Sequence, residues 1–207
     1  MVEIKKDIDI VKEVSNFDVL LVGTNVYCQL CNGWQFDAKL LYPSIHKANL
    51  ETKYGDVEKL GNVICVEQKN EQTVCLLYVL KGNFRPDIQK ETIDYEALIN
   101  CLKYINIIYK GKNVGSPIIG ASPFDGNGDK EKIINLFHEY LTDVNLTLYD
   151  YQQISQQEKR LITIKKIMKE KAESKKSGDT SKYHKLSRER KEFEANLKKI
   201  NNLEKNI

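Results

Sequence analysis

Five short runs rich in Val, Ile, Leu and Tyr punctuate the first three quarters of this chain: Asp18 to Gly23, Val63 to Glu67, Thr73 to Leu80, Pro117 to Ala121 and Leu146 to Tyr149. Each has the length of a strand, and near-continuous apolarity requires cover on both faces. Between them lie helical patterns. Gln35 to Tyr42 is stopped by Pro43; Asp94 to Tyr109 places Leu98, Leu102, Ile105 and Tyr109 on one face; Asp129 to Leu141 does the same with Ile133, Phe137, Tyr140 and Leu141. The alternation predicts an α/β protein, a three-layer α/β/α sandwich around a mixed, mostly parallel sheet.

Charge divides the 207 residues in two. Residues 152 to 207 hold 16 Lys or Arg against 8 Asp or Glu, whereas the remainder holds 16 against 21, so a net +3 conceals an acidic body and a basic end. The expected domains are therefore 1–152 and a basic C-terminal helical hairpin over 153–207, turning at Lys176 to Ser181. Leu161, Ile164, Met168 and Ala172 mark one arm; Tyr183, Leu186, Phe193, Leu197 and Ile200 mark the other. So narrow a stripe suits packing on itself, on the first domain, or on a second chain as a homo-oligomer. Its field suits an acidic protein or nucleic acid held electrostatically, without base-specific reading.

No segment approaches the apolar length of a membrane span, and the first residues lack the apolar run of a signal peptide. Five cysteines, an odd number, with Cys65, Cys75 and Cys101 inside apolar runs, fit a reduced compartment. A cytoplasmic protein without membrane contact is expected. Cys28-Gln29-Leu30-Cys31 has the spacing of half a zinc site, yet no second pair follows; neither metal nor cofactor is expected.

The segment that points to chemistry is Ser116-Pro117-Ile118-Ile119-Gly120-Ala121-Ser122-Pro123-Phe124-Asp125-Gly126-Asn127-Gly128-Asp129, which runs into Lys130 to Phe137. A strand, a glycine-rich loop and a helix start together turn backbone N–H groups toward an anion, usually a phosphate. Upstream stand Lys6-Asp7-Ile8, Phe17 to Asn25, Leu30-Cys31-Asn32-Gly33, Tyr54-Gly55-Asp56 and Lys59-Leu60-Gly61.

In that order, residues 6 to 151 resemble a macro domain, the fold that binds ADP-ribose, most nearly its branch of ADP-ribose-1″-phosphate phosphatases and ADP-ribosyl hydrolases. The resemblance implies that Asp7 and Ile8, with Lys6 in place of a glycine, hold the adenine. It implies that Asn25 meets the distal ribose, that Cys31, Asn32 and Gly33 form the first loop, and that Gly120, Ala121, Ser122, Gly126, Asn127 and Gly128 wrap the diphosphate. Tyr149 falls where an aromatic residue lines the adenine pocket. An ADP-ribose needs such groups: a carboxylate acceptor, backbone donors and polar contacts for hydroxyls.

For catalysis the resemblance offers two patterns. The phosphatase pattern has a histidine before the first loop, where this chain has Cys28, and a second-loop aspartate, here Asp129 or Asp125. The hydrolase pattern uses a strand-end lysine with a loop aspartate, here Lys81 and Asp125; a lysine among apolar neighbours has its pKa lowered and attacks as an amine. Plainer roles also fit: helix cap for Asp129, turn residue for Asp125, solvated strand end for Lys81, core indole for Trp34. The leading reading is binding of ADP-ribose or ADP-ribosyl groups, with hydrolysis attached. The alternative is an inert macro-fold interaction module, in which Phe124 or Trp34 fills the cleft.

Overall fold

A computed structural model describes residues 2–31, 33–82, 92–122 and 125–150. The expected hairpin, the domain boundary at 152/153, Asn32 and Phe124 lie outside the described residues. Six strands form one sheet: β1 (Val2–Lys6), β2 (Val19–Asn25), β3 (Val63–Glu67), β4 (Thr73–Leu80), β5 (Asn113–Pro117) and β6 (Asn145–Asp150), in the order β1-β6-β5-β2-β4-β3. All neighbours are parallel except β3, which returns antiparallel along β4. The helices are α1 (Gly33–Leu41), α2 (Pro43–Leu50), α3 (Tyr95–Ile108) and α4 (Lys130–Tyr140).

Continuous apolarity in the central strands has the expected cause. On β2, Val19 and Leu21 enter one core while Leu20 and Val22 enter the other; β4 repeats this with Cys75, Leu77 and Val79 against Val74 and Leu76. The first core is closed by α3 and α4 through Leu98, Leu102, Ile105, Ile133 and Phe137, the second by α1 and α2 through Trp34, Ala38 and Ile45. Three layers result, a mixed and mostly parallel α/β/α sandwich.

Three elements depart from the sequence pattern. β1 was invisible because it is the sheet's edge, where Glu3, Ile4 and Lys6 are exposed and the polar content blunts further pairing. β5 runs over Asn113–Pro117 and not over Pro117 to Ala121: residues 119 and 120 already turn, with Gly120 at φ +80°, and the strand is hard to see in sequence because it carries one Val and a Gly115 against which the Phe17 ring packs, 2.6 Å from where a Cβ would be. Pro43 ends α1 yet opens α2, where its missing N–H costs nothing.

Candidate functional site at the carboxyl ends of the strands

Neighbouring strands β5 and β2 send their connections to opposite faces, β2 to α1 in one layer and β5 to α4 in the other. Ligands of open parallel sheets settle in the crevice such a switch point leaves. The two expected loops, 30–33 and 117–128, leave from there, and the helix that follows the first meets the second: Gln35 Nε2, in the first turn of α1, donates to Asp125 Oδ1 at 2.8 Å.

The second loop is folded on itself. The Gly120 N–H donates to Asp125 Oδ2 at 3.2 Å, and Gly128 N–H donates to Gly120 O at 2.9 Å. The Asp125 and Asn127 N–H groups both donate to Ser122 O, and Ala121 N–H donates to Ile118 O. Two glycines are required for this. Gly120 sits at φ +80° with Ile93 2.4 Å from where a Cβ would be, and a Cβ on Gly126 would stand 2.4 Å from Gly120 O. Thr92 ties the loop to β4: its N–H donates to Gly126 O, its hydroxyl to Asp125 O, and its carbonyl accepts from Lys81 N–H.

Against expectation, most amides of this loop are consumed internally. Among the described residues, the N–H groups of Cys31, Gly33 and Gly126 have no acceptor. Cys31 and Gly33 lead into α1, whose N-terminus carries partial positive charge.

Asn25 is buried and organises the first loop. Its Oδ1 accepts from the N–H of Tyr27 (2.9 Å) and of Gln29 (3.2 Å), and its Nδ2 donates to Gln29 O. The Tyr54-Gly55-Asp56 turn supports it from behind, with Gly55 N–H donating to Val26 O and the Tyr27 and Tyr54 rings 5.4 Å apart. The Cys28 thiol faces that support. Lys59 Nζ donates to Cys28 Sγ at 3.2 Å and to Thr52 Oγ1 at 3.0 Å, and lies 4.9 Å over the Tyr78 ring.

At the far end, Asp7 (φ +59°) and Ile8 are exposed beyond β1, with Asp7 N–H donating to Asp150 O. Lys130 Nζ binds the Asp150 carboxylate at 2.6 Å.

Three expectations need correction. Lys81 is not surrounded by apolar groups: its side chain is 60% exposed and its ammonium pairs with Asp94 at 2.8 Å. The hydrogen bond from Lys81 to that carboxylate holds the lysine above its ordinary pKa, so it is a cation and not an amine nucleophile. Asp129 caps α4, accepting from Lys132 N–H at 3.1 Å, and among the described residues its carboxylate makes no bond to the second loop. Tyr149 is buried at 1% exposure, edge-on to Phe17, with its hydroxyl donating to Glu13, so its ring packs in the core and lines no open pocket. Trp34 has the core role expected of a lone indole, donating from within the second core to Leu21 O at 2.9 Å.

Asp125 joins the start of α1 to the second loop, and Ser122, Asn127 (φ +50°) and Gly128 take part in that loop's internal bonds. Gln35, Thr92, Asp94 and Lys59 were missed. Asp94 was legible as a helix cap and Lys59 as part of a turn, but not as partners of Lys81 and Cys28; Gln35 and Thr92 are ordinary polar residues with no local signal to mark them. Among the described residues no three His, Cys, Asp or Glu side chains gather as a metal site, and no helix is long and apolar enough to cross a membrane.

No protein-family model matches the chain, and no curated protein matches its sequence. Solved structures do share its fold. A protein from Bacteroides thetaiotaomicron superposes with a TM-score of 0.58 at 18% identity, over 72% of this chain and 99% of that one. The macrodomain of Mycobacterium tuberculosis DarG superposes at 0.53 and 16%, over 72% and 97%. Thermosipho africanus DarTG, solved in complex with ADP-ribose, superposes at 0.51 and 14%, over 65% and 38%. The chain has the macro domain fold.

Proposed function

We propose that residues 2–150 bind ADP-ribose, free or attached to a macromolecule, across the carboxyl ends of β2 and β5. The observation that carries this is the Gln35 to Asp125 contact, which fixes the start of α1 against the second loop at the switch point of a fold shared with a protein solved with that ligand. The N–H groups of Cys31, Gly33 and Gly126 and the start of α1 serve the diphosphate. The exposed Asp7 carboxylate accepts from the adenine amino group, and Asn25 acts by shaping the ribose-side loop. Isothermal titration of the full chain with ADP-ribose tests it. Micromolar binding, absent with ribose 5-phosphate, is expected; no heat at millimolar ligand refutes it and leaves the inert interaction module.

Hydrolysis of the ADP-ribosyl bond is a second reading, favoured by the Lys81 ammonium at the end of β4. There it acts as a cation that stabilises negative charge on a departing carboxylate or phosphate. Release is assayed on ADP-ribose-1″-phosphate and on ADP-ribosylated protein and DNA. Turnover lost in Lys81→Ala and kept in Cys28→Ala supports the reading; no release from any substrate removes it without touching the binding claim.

A further inference from the structure

On the sheet edge away from the loops, Cys65 of β3 and Cys75 of β4 are register partners, and their sulfurs lie 2.8 Å apart. Directly opposed residues of antiparallel strands have Cα atoms about 4.5–5.5 Å apart, inside the range that a disulfide spans. The two thiols are unequal. Cys65 is half-buried, whereas Cys75 is buried and donates to the Tyr109 hydroxyl at 3.6 Å. The contact with Cys75 is the main influence that draws the Cys65 thiol down to about 7, with Tyr109 and Tyr104 adding to it, while burial raises Cys75. Other cysteines lack this combination: burial pushes Cys101 up to about 12 and raises Cys31, and Cys28 is buried against Lys59.

We propose that Cys65 and Cys75 form a peroxide-oxidisable dithiol, Cys65 reacting first and Cys75 resolving, which closes a disulfide between the edge strand β3 and β4. A partly exposed thiol of lowered pKa beside a resolving thiol is the arrangement of redox-responsive cysteines. The Cys65 thiolate attacks one oxygen of hydrogen peroxide. The O–O bond breaks, hydroxide leaves and is protonated to water, and Cys65 becomes a sulfenic acid. Cys75 Sγ then attacks Cys65 Sγ; the S–S bond forms, the S–O bond breaks, and hydroxide leaves with the Cys75 proton as a second water. Two thiols lose two electrons and one peroxide gains them. β3 meets the sheet through β4 alone, so the bond pins the strand that follows the turn bearing Lys59.

The test uses the reduced full chain in native buffer, a small excess of hydrogen peroxide, and N-ethylmaleimide to block remaining thiols. Of five cysteines, two should resist alkylation with a mass loss of two hydrogens. Trypsin cuts after Lys69, so Cys65 and Cys75 fall on peptides 60–69 and 70–81, which should travel together until reduced. In Cys65→Ser all remaining thiols should stay alkylatable; in Cys75→Ser dimedone should trap a sulfenic acid on Cys65. Nine residues separate the pair, and closing so short a loop should raise Tm by roughly 5 °C in the wild type, a readout that needs no variant. Peptides that stay separate, that join only in urea, or that pair Cys65 with another cysteine overturn the proposal, as does a fall in Tm on oxidation.

Discussion

Gly126→Ala probes the second loop most directly. A Cβ at this position would stand 2.4 Å from Gly120 O and 2.7 Å from Gly120 Cα, both backbone atoms, so no rotamer change relieves the contact. Two effects oppose. Alanine lowers the entropy of the unfolded chain, worth about 0.4–1 kcal/mol in favour of folding. Forcing a methyl into a packed site costs about 1–3 kcal/mol, and here the loop's own backbone must give way. Overpacking wins by roughly 1–2 kcal/mol, which is about 3–6 °C of Tm for a domain of this size. Because the displaced segment carries the Gly126 N–H and the Thr92 bond, ADP-ribose affinity should fall at least tenfold, about 1.4 kcal/mol. Gly111→Ala is the control. Gly111 has φ +77° and nothing within 4 Å of a Cβ, so the same substitution there costs backbone strain of about 1 kcal/mol and leaves affinity unchanged. Scanning calorimetry and isothermal titration of both variants decide it. Gly126→Ala with wild-type Tm and affinity would show that the loop limbs are not in close contact, and the argument for a built diphosphate loop would fail.

Asp94 caps α3 and pairs with Lys81; burial opposes its ionisation, but Lys81 and the α3 amides together hold its pKa below the ordinary carboxylate value of 3.8. Its contribution is present above that value and is lost as pH falls through the lower folded one. Asp94→Ala should therefore cost about 1 kcal/mol near neutrality, and its denaturation curve should merge with the wild type's in acid; a difference that persists at low pH refutes this. Tyr149 has the opposite sign. Burial first, then Glu13, raises its pKa above 10, so its contribution is complete below pH 10 and is lost as pH climbs beyond. Tyr149→Phe should flatten the alkaline loss of stability, and equal slopes would refute the assignment.

Particular residues show why the layers were legible and the site only partly so. Val19 to Leu21 and Val74 to Leu80 advertise burial on both faces by composition, and Asp94 and Asp129 advertise caps by position. β1 and β5 do not, because one is a polar edge and the other carries Gly115 where Phe17 takes the space. Lys81 was assigned an environment from its apolar sequence neighbours, but strand residues alternate faces and the group that sets its charge, Asp94, arrives from another element. Gln35 and Asp125 are 90 residues apart, and nothing local ties them.

Local periodicity, capping residues and glycine placement determined the class of fold, the starts of α3 and α4 and the positions of the two loops, since those depend on neighbours within a few positions; α2, opened by Pro43, was not among them. Tertiary structure alone decided which polar groups meet. It turned Tyr149 inward, set Lys81 against a carboxylate, occupied most of the second loop's amides and placed two thiols side by side on the sheet edge. Charge state and hydrogen bonding depend on atoms within a few ångströms in space, and the chain supplies those from distant positions.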